Sequence, residues 1–443
     1  MPRAALLFPV LALASCGLRA DAEQARVCRL ALPALNEAGA RITVVRSRPG
    51  PSGGGVRLDY AVEGSGARAE RWALCRFAAS GLDPNKAELV GVETENGPVA
   101  GSTLYLLKRF YIESPEGVVG DPGPGDRGAN LPEVPAAVAY ALQQALVGLP
   151  RTAIYALLAS AYALVFGLVG RINLAFGELA AVGATATVTG VAIALALGAT
   201  APLAGLALGL LLSTAASGLH GAVGGHFALR RVGGRSGQAS LIATVGLSLA
   251  LMEYLRLAQN PVTVWLPPIW SDALPLVRAG SFVASVTPVS LLTAAIGLLA
   301  ALAVALLMPF STFGRAWRAY ADDALAAGLV GIDGARLMAA TLVLSGALAG
   351  LAGTLVVLQF GGLGFAGGFQ LGLKALVAAV LGGIGSVPGA LLGGFAIGAF
   401  ESLWSATMPI EARDIALYAG LIAVLIFRPG GFFGMRDPSP RQV

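Results

Sequence analysis

The sequence predicts an all-α polytopic membrane protein of about eight or nine transmembrane helices, preceded by a small exported α+β domain. Hydrophobic residues make up 56% of the chain and charged residues only 12%, whereas a soluble protein carries roughly 25% charge. Residues 1–135 are mixed in polarity, but nearly everything from Ala136 to Phe427 is apolar. The 60 glycines suit closely packed membrane helices, because small residues let helix backbones approach each other.

The first residues are typical of an export signal. Arg3 precedes an apolar run, Ala4–Ser15, that is too short to span a bilayer. A small-x-small pattern predicts cleavage after Ala22, which assigns residues 1–22 to a signal peptide. The segment Leu13–Cys16 (LASC) resembles a lipobox, so a lipoprotein signal ending at Cys16 is an alternative, and an uncleaved signal-anchor is another.

Residues 23–113 are expected to form an extracytoplasmic α+β domain, with a short helix at Leu30–Ala38. An exported domain lies in an oxidising compartment, where Cys28 and Cys75 can pair, although two buried thiols are the alternative. Strands are predicted from period-two alternation and apolar runs at Arg41–Arg46, Val56–Val62, Arg71–Phe77 and Thr103–Phe110.

The Pro- and Gly-rich residues 114–135 are predicted to be a semi-extended linker to a membrane domain at 136–434. Ala136–Leu149 is expected to be an interfacial amphipathic helix. The seventh candidate span is too short for a straight crossing and is predicted to be a broken or tight hairpin element. The candidate spans are Thr152–Val169, Phe176–Leu197, Pro202–Val223, Ala239–Leu257, Val286–Pro309, Met338–Phe360, Leu373–Ile384, Gly389–Leu403 and Ile415–Phe427.

Arginine distribution predicts the orientation, since cytoplasmic loops carry an excess of positive residues. With the N-terminal domain outside, the expected outside arginines are Arg151, Arg256, Arg278 and Arg413. The expected inside arginines are Arg171, Arg230, Arg231, Arg235, Arg315, Arg318, Arg336, Arg428, Arg436 and Arg441. This excess predicts that the N-terminal domain lies outside and that the tail at 435–443 is cytoplasmic. Because the two ends of the membrane domain then lie on opposite sides, the number of spans must be odd, which favours nine over eight.

The polar, Ala-rich segment Gly314–Gly331 lies between two apolar runs and is predicted to be a helical cytoplasmic loop. A short helix of small residues can seat in a groove of a partner, and a glycine after it permits a sharp turn. An ordinary solvated loop helix is the alternative. The candidate coupling residues are Arg315, Arg318, Asp322, Ala326, Ala327 and Gly331.

Polar groups inside a membrane are costly and usually face the interior of the bundle. Lys374 is expected to pair with Glu178 or Glu401, either as a structural ion pair or as part of a translocation path. His220 and His226 have no neighbouring ligand residues in the sequence, so no metal site is expected. The candidate residues of the path or its gate are Asn173, Glu178, Thr244, Lys374, Ser386 and Glu401.

Four groups of motifs, from Gln143 to Gly434, resemble the integral-membrane permeases of branched-chain amino acid ABC importers, of the LivH type. Two departures are Leu325, where the family's coupling loop usually has Glu, and Phe176, where it has His. The segments that carry the resemblance are QQALVGL at 143–149 with AIYAL at 153–157, RINLAFGE at 171–178, LAAGLVGID at 325–333 with GALAGLAG at 346–353, and GLKA at 372–375 with the glycine run at 382–394 and FRPGGFFG at 427–434.

The resemblance implies the transmembrane permease subunit of an ABC importer in a bacterial inner membrane. Its expected solute is a branched-chain or related amino acid, with urea, short amides or aromatic acids as alternatives. The chain lacks a GxxxxGK[ST] phosphate loop, so ATP is expected to bind a cytoplasmic ATPase docked on the 314–336 loop, and this chain is expected to hold no cofactor. The other expected partners are a second permease or a second copy, an extracytoplasmic solute-binding protein and membrane lipid.

Other functions fit the sequence less well. An ATP-independent channel or secondary carrier is the alternative, because glycine-rich breaks such as 361–368 occur in carriers. A membrane-embedded enzyme is not expected, since no GxSxG motif or pair of aspartates lies within a span. Nucleic-acid binding is not expected either, because the arginines are spread along the chain without interleaved aromatic residues.

Overall fold

The computed structural model describes residues 20–432, apart from gaps at 38–39, 52–54, 64–68, 82, 113–120, 124–130, 200, 227–236, 260–264, 272, 281, 384 and 429. Most of the expected signal with Cys16, the arginines Arg230, Arg231 and Arg235, and the expected tail at 435–443 lie outside the described residues. The chain divides into two compact units. One comprises residues 1–139, 200–202 and 269–288, and the other comprises 140–199, 203–268 and 289–443.

The N-terminal part of the first unit is a five-stranded antiparallel sheet whose strands pair in the order of the sequence. Its elements are α1 (Ala22–Ala31), β1 (Arg41–Pro49), β2 (Gly55–Glu63), β3 (Ala69–Phe77), β4 (Leu89–Thr94), β5 (Gly97–Pro98) and α2 (Gly101–Leu107). Apolar side chains of α1 and of the strands form one core, in which Leu32, Val56 and Leu58 are fully buried. Alternation along β2 therefore produces the sheet's apolar face.

A disulfide joins α1 to this sheet. Cys28 and Cys75, the pair suggested by the sequence, are bonded with a Cα–Cα distance of 5.8 Å, which lies within the usual range for disulfides. Cys75 pairs with Val56 across β2 and β3, so the bond ties the helix to the middle of the sheet.

Two expectations for this domain were wrong in detail. Thr103–Phe110 was predicted to be a strand, but it lies in α2 and in the π-helical turn Lys108–Ile112 that follows. Its apolar residues do not alternate strictly, and α2 packs against β4 instead of pairing with it. The helix expected at Leu30–Ala38 begins earlier, at Ala22, and only a 3₁₀ turn follows it, at Pro33–Leu35.

The start of α1 bears on the expected processing site. Asp21 is its N-cap and accepts hydrogen bonds from the backbone N–H groups of Glu23 and Gln24. The same carboxylate pairs at 3.2 Å with Lys86, whose side chain is only 2% exposed. Cleavage after Ala22 would remove this cap and this ion pair, and the position of the processing site stays a prediction.

The described parts of the expected linker make specific contacts. Asp121 accepts a hydrogen bond of 3.2 Å from Nε of Arg29. The backbone on either side of Glu133 pairs with Arg278. Arg278 lies in a β-hairpin that was not expected from the sequence, formed by β6 (Leu274–Ala279) and β7 (Phe282–Val286).

The rest of the chain is helical. Seven helices are long and apolar enough to cross a membrane, within the part of the chain that the structure describes, so the polytopic architecture is confirmed. The helices are α3 (Ala136–Val169), α4 (Phe176–Ala196), α5 (Pro202–Gly225), α6 (Gly237–Gln259), α7 (Pro288–Phe310), α8 (Thr312–Asp322), α9 (Ala324–Leu329), α10 (Gly334–Phe360), α11 (Gly367–Gly382), α12 (Val387–Thr407) and α13 (Arg413–Phe427).

The predicted count of eight or nine spans depends on two shorter helices. The 16 residues of α11 and the 15 of α13 reach about 24 and 22 Å at 1.5 Å per residue, less than the roughly 30 Å of a bilayer core. Both are packed within the second unit. The structure therefore establishes seven membrane-length helices among the described residues and leaves the higher count as a prediction.

α3 differs from the expectation of a separate interfacial helix followed by a span. It is one helix of 34 residues that continues through Pro150, and its length of about 51 Å exceeds the thickness of a bilayer core. The segment Ile154–Leu164 is buried almost throughout. Proline removes one backbone donor but does not end the helix here, so the sequence-based boundary at Leu149 was wrong.

The central helices α4, α5 and α10 touch through small residues. A Cβ atom added to Gly353 on α10 would overlap the carbonyl oxygen of Ala180 on α4. Ser213 Oγ on α5 donates to the carbonyl of Gly350 at 2.7 Å, and Ser217 Oγ donates to that of Leu179 at 2.9 Å. Small residues thus let helix backbones meet and let hydroxyl groups bond across the interface.

A turn of positive-φ glycines joins α11 to α12 as a tight hairpin, as the sequence predicted for this element. Gly383 and Gly385 have φ values of 119° and 82°, which only glycine adopts readily. Gly382 and Gly389 then lie so close that a Cβ atom on either would overlap the backbone of the other. The backbone N–H of Phe432 bonds the Leu381 carbonyl at 2.8 Å, so the chain after α13 returns to this turn.

We predict that the double variant C28S/C75S destabilises the N-terminal domain. The cysteines are 47 residues apart, and loop-closure entropy gives about 4 kcal/mol for such a crosslink. Urea-dependent resistance to protease of the domain within the full-length protein measures the effect. Dithiothreitol should reproduce it in the wild type. Unchanged resistance of the double variant would contradict a stabilising role for the bond.

Gly353→Ala is expected to lower the thermal stability of the purified protein, because its methyl group must separate α4 from α10. Overpacking of this kind costs about 1–3 kcal/mol. Gly420→Ala on α13 is the matched control, since a Cβ atom there would have no neighbour within 4 Å. Equal melting temperatures for the two variants would show that close contact at Gly353 is not required.

Candidate functional site

A cluster of charged residues joins α3, α11, α12 and α13. The Lys374 ammonium contacts the Glu401 carboxylate within hydrogen-bonding distance and lies 3.4 Å from Asp414 Oδ1. Arg413 Nε lies 3.5 Å from Asp414 and 4.0 Å from Glu401, and Arg151 Nε lies 3.9 Å from Glu401. The cluster thus places three cations and two carboxylates around a buried pair, Lys374 and Glu401, while Asp414 is half exposed.

Glu401 is the centre of this charge cluster. Its side chain is 1% exposed, and Tyr155 on α3 donates its hydroxyl to Oε2 at 3.0 Å. The Lys374 ammonium also lies 5.7 Å from the centroid of the Tyr155 ring. A carboxylate at this depth is stabilised only when hydrogen bonds and counter-charges surround it. The sequence left open whether Glu178 or Glu401 pairs with Lys374, and the structure selects Glu401.

A cleft of about 270 Å³ opens beside this charge cluster. Its polar lining residues are Arg151, Tyr155, Lys374 and Gln370, of which Gln370 is exposed. The remaining lining residues are Ile154, Val356, Phe360, Gly362, Leu363, Gly367 and Leu371. The cleft therefore combines two cationic groups with an apolar wall, which is typical of sites for small solutes.

Glu178 lies elsewhere in the helical bundle, at the start of α4. It is completely buried, and Ser248 on α6 donates to its Oε1 at 3.2 Å. Its Oε2 has no hydrogen-bond partner among the described residues. A Cβ atom on Gly368 of α11 would lie 2.5 Å from this oxygen. Glu178 thus occupies the meeting point of α4, α6 and α11, apart from the charge cluster.

Three further candidates of the path have local hydrogen bonds. Asn173 Oδ1 accepts from the backbone N–H of Ala175 at 3.1 Å, just before α4. Ser386 is the N-cap of α12 and accepts from the N–H of Gly389. Thr244 is buried and donates to the carbonyl of Leu241 within α6. Capping and back-bonding account for these groups, and their proposed part in a path stays a prediction.

The candidate coupling segment consists of α8 and α9. On α8, Trp317 is 5% exposed and donates its indole N–H to the Leu164 carbonyl of α3 at 3.1 Å. A Cβ atom on Gly167 would overlap the Trp317 ring, so the glycine makes room for the indole. Arg318 bonds the carbonyl of Met308 at the end of α7. These contacts fix α8 against α3 and α7.

Two aspartates define the ends of α9 and the start of α10. Asp323 accepts from the N–H groups of Leu325 and Ala326, and Asp333 accepts from those of Ala335 and Arg336. Such caps satisfy donors that a helix start leaves unpaired. Between the caps, Gly331 has a φ of 90°, so the turn expected after the short helix is present.

α9 has one buried side and a broad exposed apolar side. Ala327 is 3% exposed and packs against its own chain, whereas Ala326, Arg315 and Asp322 lie at the surface. Three large apolar side chains of the segment are mostly exposed, namely Leu325, Leu329 and Val330 at 78%, 84% and 77%. We call these three residues the α9 patch. The expected small-residue contact thus turns inward at Ala327, and larger residues form the outer surface.

Sequence reasoning missed several residues of the charge cluster. It placed Arg151 and Arg413 in loops and did not consider Tyr155 or Asp414. The spacing of Arg151 and Tyr155, four residues apart on a helix, puts both on one face, and this signal was available. No signal in the sequence indicated that α3 and α13 meet, because these helices are more than 200 residues apart.

Comparison with known proteins identifies relatives of the membrane part of the chain. A family model described as the permease component of branched-chain amino acid transport systems matches residues 144–425. The N-terminal domain therefore lies outside the matched residues. A comparison with solved structures gave no match.

Named relatives agree with the family match. The high-affinity branched-chain amino acid transport permease LivH of Escherichia coli K12 is 34% identical over 295 residues, covering 67% of this chain and 96% of the relative. BraD of Pseudomonas aeruginosa is 33% identical over 301 residues, covering 66% and 95%. The autoinducer 2 import permease LsrC of Salmonella paratyphi B is 31% identical over 198 residues, covering 42% and 54%.

Lys374→Met should destabilise the protein by about 3 kcal/mol, because it removes the main partner of a buried carboxylate. The double variant K374M/E401Q should recover part of this loss, since the glutamine keeps the shape without the charge. Thermal unfolding in lipid nanodiscs measures both. A double variant less stable than K374M would show that the pair is not coupled as the distances indicate.

Proposed function

The chain belongs to the family of permease components of branched-chain amino acid transport systems, and from that premise we propose that it is the transmembrane subunit of an ATP-driven importer. Its solute is a branched-chain or related amino acid. No chemical step on the solute is assigned to the chain, and ATP is bound and hydrolysed by a separate cytoplasmic subunit.

The observation that carries this proposal is the α9 patch on a segment fixed to the bundle. Leu325, Leu329 and Val330 expose apolar surface in a loop, where a protein partner can bury it. Arg315 and Asp322 lie at the surface of the same segment and supply charges around the patch. In the proposed function, this surface seats in a groove of the ATPase.

Movement of the ATPase reaches the bundle through α8. Because the Trp317 indole is hydrogen-bonded to α3 and fills the space beside Gly167, α8 cannot shift without disturbing α3. Tyr320 contacts Gly334 at the start of α10 in the same way. The docking segment is therefore connected to two long helices by packed side chains, as mechanical coupling requires.

The proposed orientation places the N-terminal domain outside and the C-terminus in the cytoplasm of a bacterial inner membrane. The arginine excess in the expected inside loops supports it. The chain segments that make up the first compact unit give further support. Residues 1–139 belong to the same unit as residues 200–202 and 269–288. These segments precede α3, join α4 to α5 and join α6 to α7, so alternate crossings would put them on one side.

Two partners besides the ATPase follow from this function. A second permease or a second copy of the chain completes the pore, and an extracytoplasmic binding protein delivers the solute. We assign the N-terminal domain to the docking of that binding protein. Capture of the binding protein by the full chain, and its loss on deletion of residues 23–113, would support this role. Equal capture by both forms would argue against it.

Leu329→Asp is expected to reduce ATP-driven uptake of leucine at least about tenfold, because a charge would be buried at the ATPase interface, and tenfold corresponds to about 1.4 kcal/mol. Uptake in vesicles and copurification of the ATPase measure the effect. Val90→Asp is the control for copurification of the ATPase. Val90 is an apolar residue of β4 that is 57% exposed and lies outside the 314–336 loop. Wild-type uptake and copurification of the ATPase in L329D would show that the α9 patch is not part of the ATPase interface.

A second measurement separates the importer from an ATP-independent carrier. Vesicles that contain the permease without its ATPase are expected to show no accumulation of leucine. Addition of the ATPase and ATP should restore it. Accumulation without the ATPase would contradict the proposed function and favour a secondary carrier.

A further inference from the structure

We propose that the cleft beside the charge cluster binds the carboxylate of the solute through Arg151, and that this residue makes the transporter selective for amino acids over neutral amides. The inference rests on the proposed function, because it assigns a solute class to a position on the same transport path. Three properties of the cleft are needed for this role, namely a cationic side chain free to bind an anion, an apolar lining and a volume suited to a small molecule.

Arg151 has a guanidinium group that the charge cluster does not satisfy. Glu401 Oε2 already accepts a hydrogen bond from Tyr155 at 3.0 Å, and Oε1 contacts Lys374. The Nε of Arg151 lies 3.9 Å from Oε2, which is too long for a hydrogen bond. Its side chain is 26% exposed, so the group is accessible from the cleft.

The charges of the cluster favour an incoming anion. Arg151, Lys374 and Arg413 contribute three positive charges, whereas Glu401 and Asp414 contribute two negative charges. Arg413 Nε is buried without a hydrogen-bond partner among the described residues. A solute carboxylate would balance the remaining positive charge and accept a bidentate hydrogen bond from the guanidinium of Arg151. Urea or a neutral amide would leave this charge uncompensated.

The apolar part of the lining suits an aliphatic side chain. It consists of Ile154, Val356, Phe360, Leu363 and Leu371. The volume of about 270 Å³ is slightly below the usual range for drug-sized ligands, which begins at about 300 Å³. The cleft therefore suits a small solute that carries both a carboxylate and a branched apolar group.

A direct test uses the full chain in lipid nanodiscs and the arginine reagent phenylglyoxal. Millimolar leucine should slow modification of Arg151 several-fold, as measured by mass spectrometry, whereas leucinamide, which lacks the carboxylate, should not. Arg256 is the internal control, because it pairs with Glu253 on the surface of α6 and does not line the cleft. Equal protection by leucine and leucinamide, or none by leucine, would overturn the inference.

Variants then connect the cleft to transport in the assembled importer. Arg151→Met should raise the apparent KM for ATP-driven leucine uptake at least several-fold without loss of ATPase copurification, and Arg151→Lys should recover part of the affinity. Arg256→Met should behave as the wild type. If the wild type accumulates leucine with ATP and R151M has an unchanged KM, the inference fails and the proposed function stands. If the wild type shows no ATP-driven uptake, the proposed function itself fails.

Discussion

Direct contact between helix backbones is the interaction on which the membrane part of this molecule depends. Lipid is as apolar as a leucine side chain, so burial of apolar groups alone does not hold helices together in a bilayer. Here glycines and serines remove the side-chain layer between α4, α5 and α10, as at Gly353 and Ser213. Close packing and hydroxyl-to-carbonyl bonds replace the hydrophobic effect. The short helix α11 packs against α4, and α13 packs against α11 and α12.

The charge cluster has a different physical basis. A buried ion pair is weak evidence for stability, because two charges lose their hydration and recover it only through well-placed partners. Glu401 has such partners in Lys374 and Tyr155, whereas Arg151 lies 3.9 Å from Glu401, too far for a hydrogen bond to it. An incompletely satisfied cation beside an apolar cleft marks a place where a solute can complete the arrangement.

Much of the architecture follows from sequence because lipid imposes a strong pattern. Long apolar runs predicted the principal helices, and the glycine-rich turn at 382–389 predicted the hairpin of α11 and α12. Errors arose where tertiary contacts override local signals. Pro150 suggested a boundary, yet α3 continues through it. The strand expected at Thr103–Phe110 became α2, and the hairpin β6–β7 carried a signal too short to recognise.

The candidate site was predicted unevenly for a related reason. A pairing of Lys374 with Glu178 or Glu401 could be proposed because single charges in apolar segments are conspicuous. The choice of Glu401 and the part of Asp414 could not, since they depend on which helices meet. For Tyr155, the only signal in the sequence was a helix face shared with Arg151. For the loop of α8 and α9, composition indicated a docking element, but only the structure shows that Ala327 turns inward and that Leu325 and Leu329 form the surface.

One helix carries both functional regions. Arg151 faces the cleft, and the Leu164 carbonyl, 13 residues further along α3, holds Trp317. At 1.5 Å per residue these points are about 20 Å apart on a single rigid rod. In the proposed importer, a displacement of α3 that follows nucleotide binding would therefore also change the affinity of the cleft for the solute. By thermodynamic reciprocity, occupation of the cleft by solute would then change the affinity for nucleotide by the same factor.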